Sequence, residues 1–243
     1  MMSKILIFGY GLFNFLLFNL ALIYFVGFMG NFIVPKTIDS GVTIPPVQAL
    51  LINLALIALF GIQHSVMARP KFKQWLLKII PEPIERSTYV LLATLMLILL
   101  CWQWQPIPDV IIWQVENPFG YWTLWGLFGF GWLFSLFATG LIDQFDLLGL
   151  RQIYQYLGDK PYQPVPFKVV AVYQYIRHPI MLGTIIGVFA TPTMTIGHLL
   201  LALGFTIYIF IGIYFEEKDM LRTHGDRYVK YQQETTMLIP KLF

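Results

Sequence analysis

Long apolar runs, separated by shorter polar segments, make up most of this chain. The first four extend from about Ile5 to Phe32, Val47 to Met67, Thr88 to Trp104 and Phe119 to Ile142. Each is close to the roughly 20 apolar residues that an α-helix needs to cross the hydrocarbon core of a bilayer. The pattern therefore predicts four helices that span a membrane.

Two further apolar runs, about Ile180 to Ala190 and Ile196 to Phe215, flank the segment TPTMT at 191–195. The first run is too short for an ordinary crossing, and Pro192 interrupts the helical pattern between the two. We expect a helical hairpin that turns at Pro192. The chain as a whole is thus predicted to be an all-α integral membrane protein, a polytopic bundle of five full spans plus a short helical hairpin arm.

Composition agrees with this architecture. Hydrophobic residues make up 57% of the 243 residues and charged residues 12%, and the mean hydropathy is +0.67, outside the usual range of soluble globular domains. The length leaves little room for a separate soluble domain, so we expect a single transmembrane domain over 1–243. With one cysteine, Cys101, the chain can form neither an intrachain disulfide nor a cysteine-rich metal site.

The basic residues indicate an orientation. They fall mainly within 69–86, 151–177 and 218–241, whereas the segments on the other side hold only Lys36. Because Lys and Arg accumulate in cytoplasmic segments near the spans, we expect both termini in the cytoplasm. The net charge of +3 follows from this topology, and no basic soluble module that would bind nucleic acid is visible. We expect a protein of the bacterial inner membrane whose active site faces the cytoplasm.

Polar side chains concentrate at the predicted cytoplasmic ends of the spans. The main members are Gln63, His64, Arg86, Tyr89, Arg177, His178, Glu216 and Glu217. Ionisable residues at membrane depth usually face a bundle interior or a cavity, because contact with lipid is costly. The set therefore predicts one polar pocket, although Arg177 alone could anchor a helix at the headgroups and His64 alone could be a packing histidine.

The C-terminal third carries two motifs of a known family. YQYIRHPIMLG at 173–183 and EEKDMLRTHGDRYVKYQQETTMLIP at 216–240 resemble the signature of the isoprenylcysteine carboxyl methyltransferase superfamily. GIQHSVMARPKFKQWL at 61–76, PIERSTYVLL at 83–92 and DLLGLRQ at 146–152 resemble, more narrowly, the membrane-bound methanethiol S-methyltransferases. The likeness then extends over nearly the whole chain.

This resemblance implies a methyltransferase that uses S-adenosylmethionine, held on the cytosolic side by about 168–243. The implied cofactor-binding residues are Tyr173, Arg177, His178, Pro179, Gly183, Glu216, Glu217, Tyr228 and Tyr231. Their chemistry suits the cofactor, since an arginine can bind its carboxylate, glutamates its ribose or ammonium, and aromatic faces its sulfonium. Met181 is a departure, because many relatives have a tyrosine there.

For the second substrate, the narrower resemblance implies methanethiol, which would be converted to dimethyl sulfide. A thiol has to lose its proton before it attacks. We expect His64, assisted by Gln63 or Arg86, to lower the thiol's effective pKa or accept that proton, and aromatic side chains such as Tyr89 to enclose the methyl group. The four dispersed histidines do not suggest a metal site.

Two alternatives stay open at this point. The same cofactor could methylate another thiol, an amine or a lipid carboxylate. The chain could also be a non-enzymatic membrane subunit that supports nitrogen-oxide metabolism or carries a small solute. A transport route should place polar groups on both sides of the bilayer, whereas here they concentrate on one side.

Overall fold

The computed structural model describes residues 3–240. Lys241, at the end of the predicted cytoplasmic tail, lies outside them. The described residues form ten α-helices: α1 Lys4–Gly30, α2 Pro46–Met67, α3 Pro70–Leu76, α4 Glu85–Gln103, α5 Pro118–Ile142, α6 Gln144–Leu147, α7 Leu150–Leu157, α8 Pro179–Phe189, α9 Ile196–His224 and α10 Asp226–Glu234. There are also two short strands, β1 Ile111–Gln114 and β2 Thr193–Thr195, and two 3-10 helices, Glu82–Ile84 and Ala171–Gln174.

The predicted spans are confirmed. Five helices, α1, α2, α4, α5 and α9, are long and apolar enough to cross a membrane. Their bounds agree closely with the apolar runs, except that α9 continues to His224 instead of ending near Phe215. The added residues EEKDMLRTH contain strong helix formers, so the helix extends past its apolar part. The orientation of the termini stays a prediction.

The short arm is also confirmed. Helix α8 begins at Pro179, where a proline suits the first helical position because its missing N–H has no partner in a helix. The arm ends at Ala190, and α9 begins after Thr195, whose side chain accepts a hydrogen bond from the His198 amide at 3.1 Å. The two helices therefore form the expected hairpin around 191–195.

A two-stranded antiparallel sheet lies at this turn, and the apolar pattern did not predict it. Strand β1 comes from the segment between α4 and α5 and pairs with β2, with Ile111 opposite Thr195 and Gln114 opposite Thr193. The Trp113 indole also donates to the Thr191 carbonyl at 2.9 Å. The sheet satisfies backbone groups of the hairpin turn that would otherwise lack partners.

The described chain divides into two compact units. The first comprises the described residues up to Pro106 together with Asp143–Val165, and the second comprises Ile107–Ile142 and the described residues from Pro166 onward. The organisation as a single domain over 1–243, which extends past the described residues, stays a prediction.

In the first unit, the start of α4 is held by buried polar contacts. The Asn14 amide of α1 donates to the Ser87 carbonyl at 3.2 Å, and the Ser87 hydroxyl donates to the Gly149 carbonyl at 3.3 Å. Gly149 has a positive φ of 86°, and a Cβ there would meet the Ser87 nitrogen at 2.6 Å. Only glycine combines this backbone conformation with so close an approach.

In the second unit, α5 and α8 approach one another through small residues. A Cβ on Gly131 of α5 would meet the Gly183 oxygen at 2.6 Å and the Gly187 nitrogen at 2.5 Å of α8. The Ser135 hydroxyl also donates to the Ile180 carbonyl at 2.6 Å. Small residues are typical of membrane helices that pack this closely.

Gly131→Ala should lower the stability of the protein by about 1–3 kcal/mol, because the added methyl group has to separate two backbones. The matched control is Gly126→Ala on the same helix, where nothing lies within 4 Å of the added Cβ. The control should be neutral or stabilising by up to about 1 kcal/mol. Thermal unfolding in detergent measures both, and equal melting temperatures for the two variants would contradict this packing.

Asp143 begins the polar segment after α5. It has a positive φ of 95°, its carboxylate accepts from the Asp146 amide at 3.1 Å, and it pairs with Arg151 at 2.5 Å. Burial raises the pKa of Asp143, but the hydrogen bonds from Asp146 and Arg151 outweigh it and hold this pKa below its usual range. The charged carboxylate therefore stabilises the folded state.

Asp143→Asn tests this charge, since asparagine tolerates a positive φ and keeps the cap. At pH 7 the variant should be less stable by about 1 kcal/mol. The pKa of Asp143 is lower in the folded protein than in the unfolded chain, where it is about 4. The charge of Asp143 therefore stabilises the folded protein above that pH, and this stabilisation is lost as the pH falls through the pKa of the folded protein. The difference in melting temperature between variant and parent should therefore narrow in acid. A difference in melting temperature that does not change with pH would contradict a stabilising role for the charge of Asp143.

Candidate functional site

The RHP motif lies beside the C-terminal segment of the chain. Ile176 and Thr236 form a parallel β-bridge, the Arg177 amide donates to the Thr236 carbonyl at 2.9 Å, and the His178 amide donates to the Met237 carbonyl at 3.1 Å. These bonds fix the start of α8 against the end of the described chain, which closes the second unit.

The Arg177 side chain is mostly buried, with 9% exposed. Its Nε donates to Oε1 of Glu217 at 2.7 Å. Its Nη1 donates to the carbonyls of Gln232, at 3.2 Å, and Thr235. One guanidinium thus connects the start of α8 to α9, to α10 and to the segment after α10.

Glu217 is correspondingly occupied by protein groups. Its Oε1 also lies 3.1 Å from Nε2 of His178, and its Oε2 accepts from the Gln232 side chain at 2.9 Å. We call Arg177, His178, Glu217 and Gln232 the C-terminal clasp. Both oxygens of the Glu217 carboxylate are therefore used by protein groups, and its role toward a cofactor stays a prediction.

The neighbouring Glu216 differs in environment. Its side chain is 52% exposed, and Oε2 lies 3.7 Å from Nδ1 of His178, a distance too long for a hydrogen bond. No hydrogen bond to this carboxylate is present among residues 3–240, and its ion pair with His178 is a long one. Of the two adjacent glutamates, Glu216 is therefore the one with acceptor capacity for a ligand.

An aromatic cluster adjoins the clasp. The Phe167 ring packs edge-on against Tyr228 and Tyr231, with centroid distances of 5.9 and 5.6 Å, and stacks on His224 at 5.0 Å. The Tyr231 hydroxyl donates to the Tyr173 carbonyl at 2.6 Å. This cluster gathers three of the predicted cofactor-binding tyrosines in one unit.

These phenols stay neutral at physiological pH. Burial, reinforced by Glu217 and Glu216, raises the pKa of Tyr228, and burial, reinforced by Glu216, raises that of Tyr173. Burial also raises the pKa of Tyr231 to about 12. The three rings are therefore neutral, and the hydroxyls of Tyr231 and Tyr173 already donate to the backbone carbonyls of Tyr173 and Ala138.

The remaining cofactor-binding predictions fall on the short arm. Pro179 opens α8, and Gly183 packs against Gly131 and Ser135 of α5, so helix packing already gives a reason for this glycine. Met181 packs on the apolar cluster formed by Ile209, Ile213 and Leu238. The roles of Pro179 and Gly183 toward a cofactor stay predictions.

The predicted catalytic residues lie in the first unit. His64, in the last turn of α2, has its ring centroid 5.0 Å from that of Tyr89 and 5.6 Å from that of Phe60. The Arg86 guanidinium lies over the Tyr89 ring at 5.0 Å and donates through Nε to the Leu147 carbonyl at 2.8 Å. The structure thus brings His64, Tyr89 and Arg86 together as a row of contacts.

Gln63 makes a different contact from the one expected. Its amide nitrogen lies 2.9 Å from Sδ of Met67, and Oε1 is buried without a hydrogen-bond partner among residues 3–240. Sequence reasoning also missed the clasp partners Gln232 and Thr235, because a backbone carbonyl that binds an arginine leaves no mark in the sequence.

Comparison with known proteins gives the family. The sequence profile described as NnrU protein matches residues 51–241 of this chain. The chain belongs to the NnrU protein family. No solved structure matches it.

Relatives of this NnrU family member bear out the narrower resemblance. The chain is 46% identical to "Methanethiol S-methyltransferase" of Mycobacterium tuberculosis, over 98% of each protein. It is 47% identical to "Methanethiol S-methyltransferase 1" of Bradyrhizobium diazoefficiens, over 98% of this chain and 83% of the relative. A more distant relative is "Nurim" of Xenopus laevis, 32% identical over 65% of this chain and 58% of the relative. The resemblance predicted from the motifs is confirmed.

The clasp generates a stability prediction. Glu217→Gln leaves the buried Arg177 without its counter-charge and should lower stability by about 3–5 kcal/mol. Glu216→Gln, one residue earlier on the same helix, should change stability by less than about 0.5 kcal/mol, because its carboxylate is half exposed. Thermal unfolding of both variants in one detergent gives the comparison. Equal losses would contradict the different roles of the two glutamates.

Proposed function

We propose that this NnrU family member is an S-adenosylmethionine-dependent methyltransferase that methylates methanethiol to dimethyl sulfide. The names of its relatives support the reaction. The observation that carries the proposal is the half-exposed Glu216 beside Glu217, whose two carboxylate oxygens are both engaged by the clasp. A carboxylate with open acceptor sites, close to an arginine and to aromatic rings, suits a ligand that carries positive charge and hydroxyls.

The residues of the second unit fit the methyl donor. S-adenosylmethionine has a carboxylate, an ammonium, a ribose and a sulfonium. Glu216 would accept from the ammonium or a ribose hydroxyl, with a charge-assisted bond in the first case. Nη2 of Arg177 would donate to the carboxylate of the cofactor. This nitrogen has no hydrogen-bond partner among residues 3–240. When bound, the cofactor supplies an electrophilic methyl group on sulfur.

Aromatic faces complete this part of the proposal. A sulfonium is attracted to the face of a neutral ring by about 0.5–2 kcal/mol, and Tyr228 and Tyr231 are held in place by Phe167. His178, between the two glutamates, orients Glu216 relative to the clasp. Glu217 acts indirectly, by fixing Arg177.

In the first unit, we assign thiol activation to His64. The imidazole would accept the proton that methanethiol loses when it becomes a nucleophilic thiolate. The rings of Phe60 and Tyr89 on either side of His64 suit the small apolar methyl group of this substrate. Arg86, which contacts the Tyr89 ring and the Leu147 carbonyl, fixes that ring in place.

The five apolar helices and the distribution of charge support a proposal about the cellular setting. We propose that the protein lies in the bacterial inner membrane with both termini and the cofactor-binding residues on the cytoplasmic side, where S-adenosylmethionine is made. Methanethiol is small and apolar enough to partition into the bilayer, so it needs no charged entrance.

The reaction is tested with purified protein, methanethiol and S-adenosylmethionine that carries a trideuterated methyl group. Mass spectrometry of the headspace should show dimethyl sulfide with one deuterated methyl. Glu216→Gln should reduce its formation at least tenfold, the effect of losing one charge-assisted hydrogen bond of about 1.5–3 kcal/mol. Glu234→Gln, which alters an exposed carboxylate of α10, is the control and should retain activity.

The results of this assay, together with cofactor binding, distinguish methanethiol methylation from methylation of another substrate and from a non-enzymatic role. Binding of the cofactor without labelled dimethyl sulfide would reject methanethiol and favour another thiol, an amine or a lipid carboxylate. Absence of both binding and product would reject the methyltransferase and favour a non-enzymatic subunit.

His64→Ala should lower kcat/KM for methanethiol by about 10² at neutral pH, the usual contribution of a general base. The loss should shrink as the pH rises, because a growing share of the thiol ionises without help. Calorimetry of cofactor binding, which should not change, separates this effect from unfolding. An unchanged rate and pH profile in the variant would remove His64 from the mechanism.

A further inference from the structure

A polar cavity lies in the first unit, and of its lining residues the proposed methyl transfer uses only Arg86, through its contact with the Tyr89 ring. It has a volume of about 630 Å³ and is lined by residues of α3, the start of α4, α6, α7 and the loop that follows α7. Binding sites for small ligands are commonly of this size.

Opposite charges line this cavity in equal number. The carboxylates are those of Glu82, Glu85 and Asp146, and the cations are Lys73, Arg86 and Lys160. A site for an anion would carry an excess of cations, and a site for a cation an excess of carboxylates. The equal number of positive and negative side chains therefore suits a ligand that carries both a positive and a negative charge.

Two lining residues have acceptor atoms without donors. Oε1 of Glu85 and Oε1 of Gln152 are buried, and residues 3–240 supply no hydrogen bond to either. A further lining carboxylate, that of Asp146, is occupied, since its Oδ1 accepts from the Tyr162 hydroxyl at 2.9 Å and from the Gln152 amide at 3.2 Å. Buried acceptors without donors are uncommon in proteins, so these two atoms point to a ligand with N–H donors.

The surroundings indicate that the ligand also has an apolar part. Leu77 lines the cavity and is 43% exposed, and its neighbours Trp75 and Ile79 are exposed as well. These residues follow α2 directly, at the level where a chain leaves the membrane. Exposed tryptophan and aliphatic side chains at such a position face the lipid interface.

We infer that this cavity binds the headgroup of a zwitterionic phospholipid with a primary ammonium, of the phosphatidylethanolamine class. The ammonium donates to Glu85 and Gln152, the phosphate lies toward Lys160 and Lys73, and the acyl chains leave past Leu77. A quaternary choline headgroup has the same charge but no N–H donors, so it would leave both buried acceptors unpaired.

Native mass spectrometry of the delipidated full chain in detergent tests this inference with phosphatidylethanolamine, phosphatidylcholine and phosphatidylglycerol of identical acyl chains. Phosphatidylethanolamine should bind about tenfold more tightly than phosphatidylcholine, the difference expected from one charge-assisted hydrogen bond.

Glu85→Gln should remove this preference for phosphatidylethanolamine and leave phosphatidylglycerol binding unchanged. Lys160→Gln, in an exposed loop, should weaken phosphatidylethanolamine and phosphatidylglycerol alike. Glu116→Gln, an exposed carboxylate outside the cavity, should behave like the parent.

Three results would overturn the inference. The first is equal binding of phosphatidylethanolamine and phosphatidylcholine by the parent protein. The second is tight binding of glycerophosphoethanolamine, which would assign the cavity to a water-soluble zwitterion. The third is loss of S-adenosylhomocysteine binding in Glu85→Gln, which would assign it to the methyl donor. None of these measurements requires methyl transfer, so the inference stands or falls apart from the proposed function.

Discussion

The buried ion pair between Arg177 and Glu217 is the contact on which the second unit depends. Removing two charges from water is expensive, and such a pair is tolerated only when its remaining donors and acceptors are satisfied. Here most of them are: the guanidinium also binds two backbone carbonyls through Nη1, and the carboxylate also contacts His178 and Gln232. Nη2 of Arg177 is left without a hydrogen-bond partner among residues 3–240. The pair therefore determines where α8, α9, α10 and the final segment lie relative to one another.

The hydrogen bonds of the clasp also give two adjacent glutamates different environments. Glu217 is occupied by the clasp, whereas the side chain of Glu216 is half exposed. A preorganised binding site needs groups held in place by such surrounding contacts. The membrane-embedded parts serve this arrangement, since the close contact of α5 with α8 through Gly131 and Gly183 fixes the helix that begins at the RHP motif.

Much of the fold and part of the candidate site could be predicted from the sequence. The spans followed from apolar runs of the length that a bilayer requires, and the short arm followed from Pro192. Strands β1 and β2 did not, because three or four residues are too few to show an alternating pattern. The motifs singled out Arg177 and both glutamates, yet they could not separate the two roles. The difference between the two glutamates depends on contacts that include backbone carbonyls, such as that of Thr235, and a residue of any type could provide such a carbonyl.

We propose that Glu216 contacts the methyl donor while Glu217 supports the fold. Isothermal titration calorimetry with S-adenosylhomocysteine, on the parent and on Glu216→Gln, separates these two roles. The affinity should fall at least tenfold in Glu216→Gln, in line with the loss of a charge-assisted hydrogen bond of about 1.5–3 kcal/mol, while the variant melts at the parent's temperature. Binding of S-adenosylhomocysteine to Glu216→Gln with the parent's affinity would contradict it.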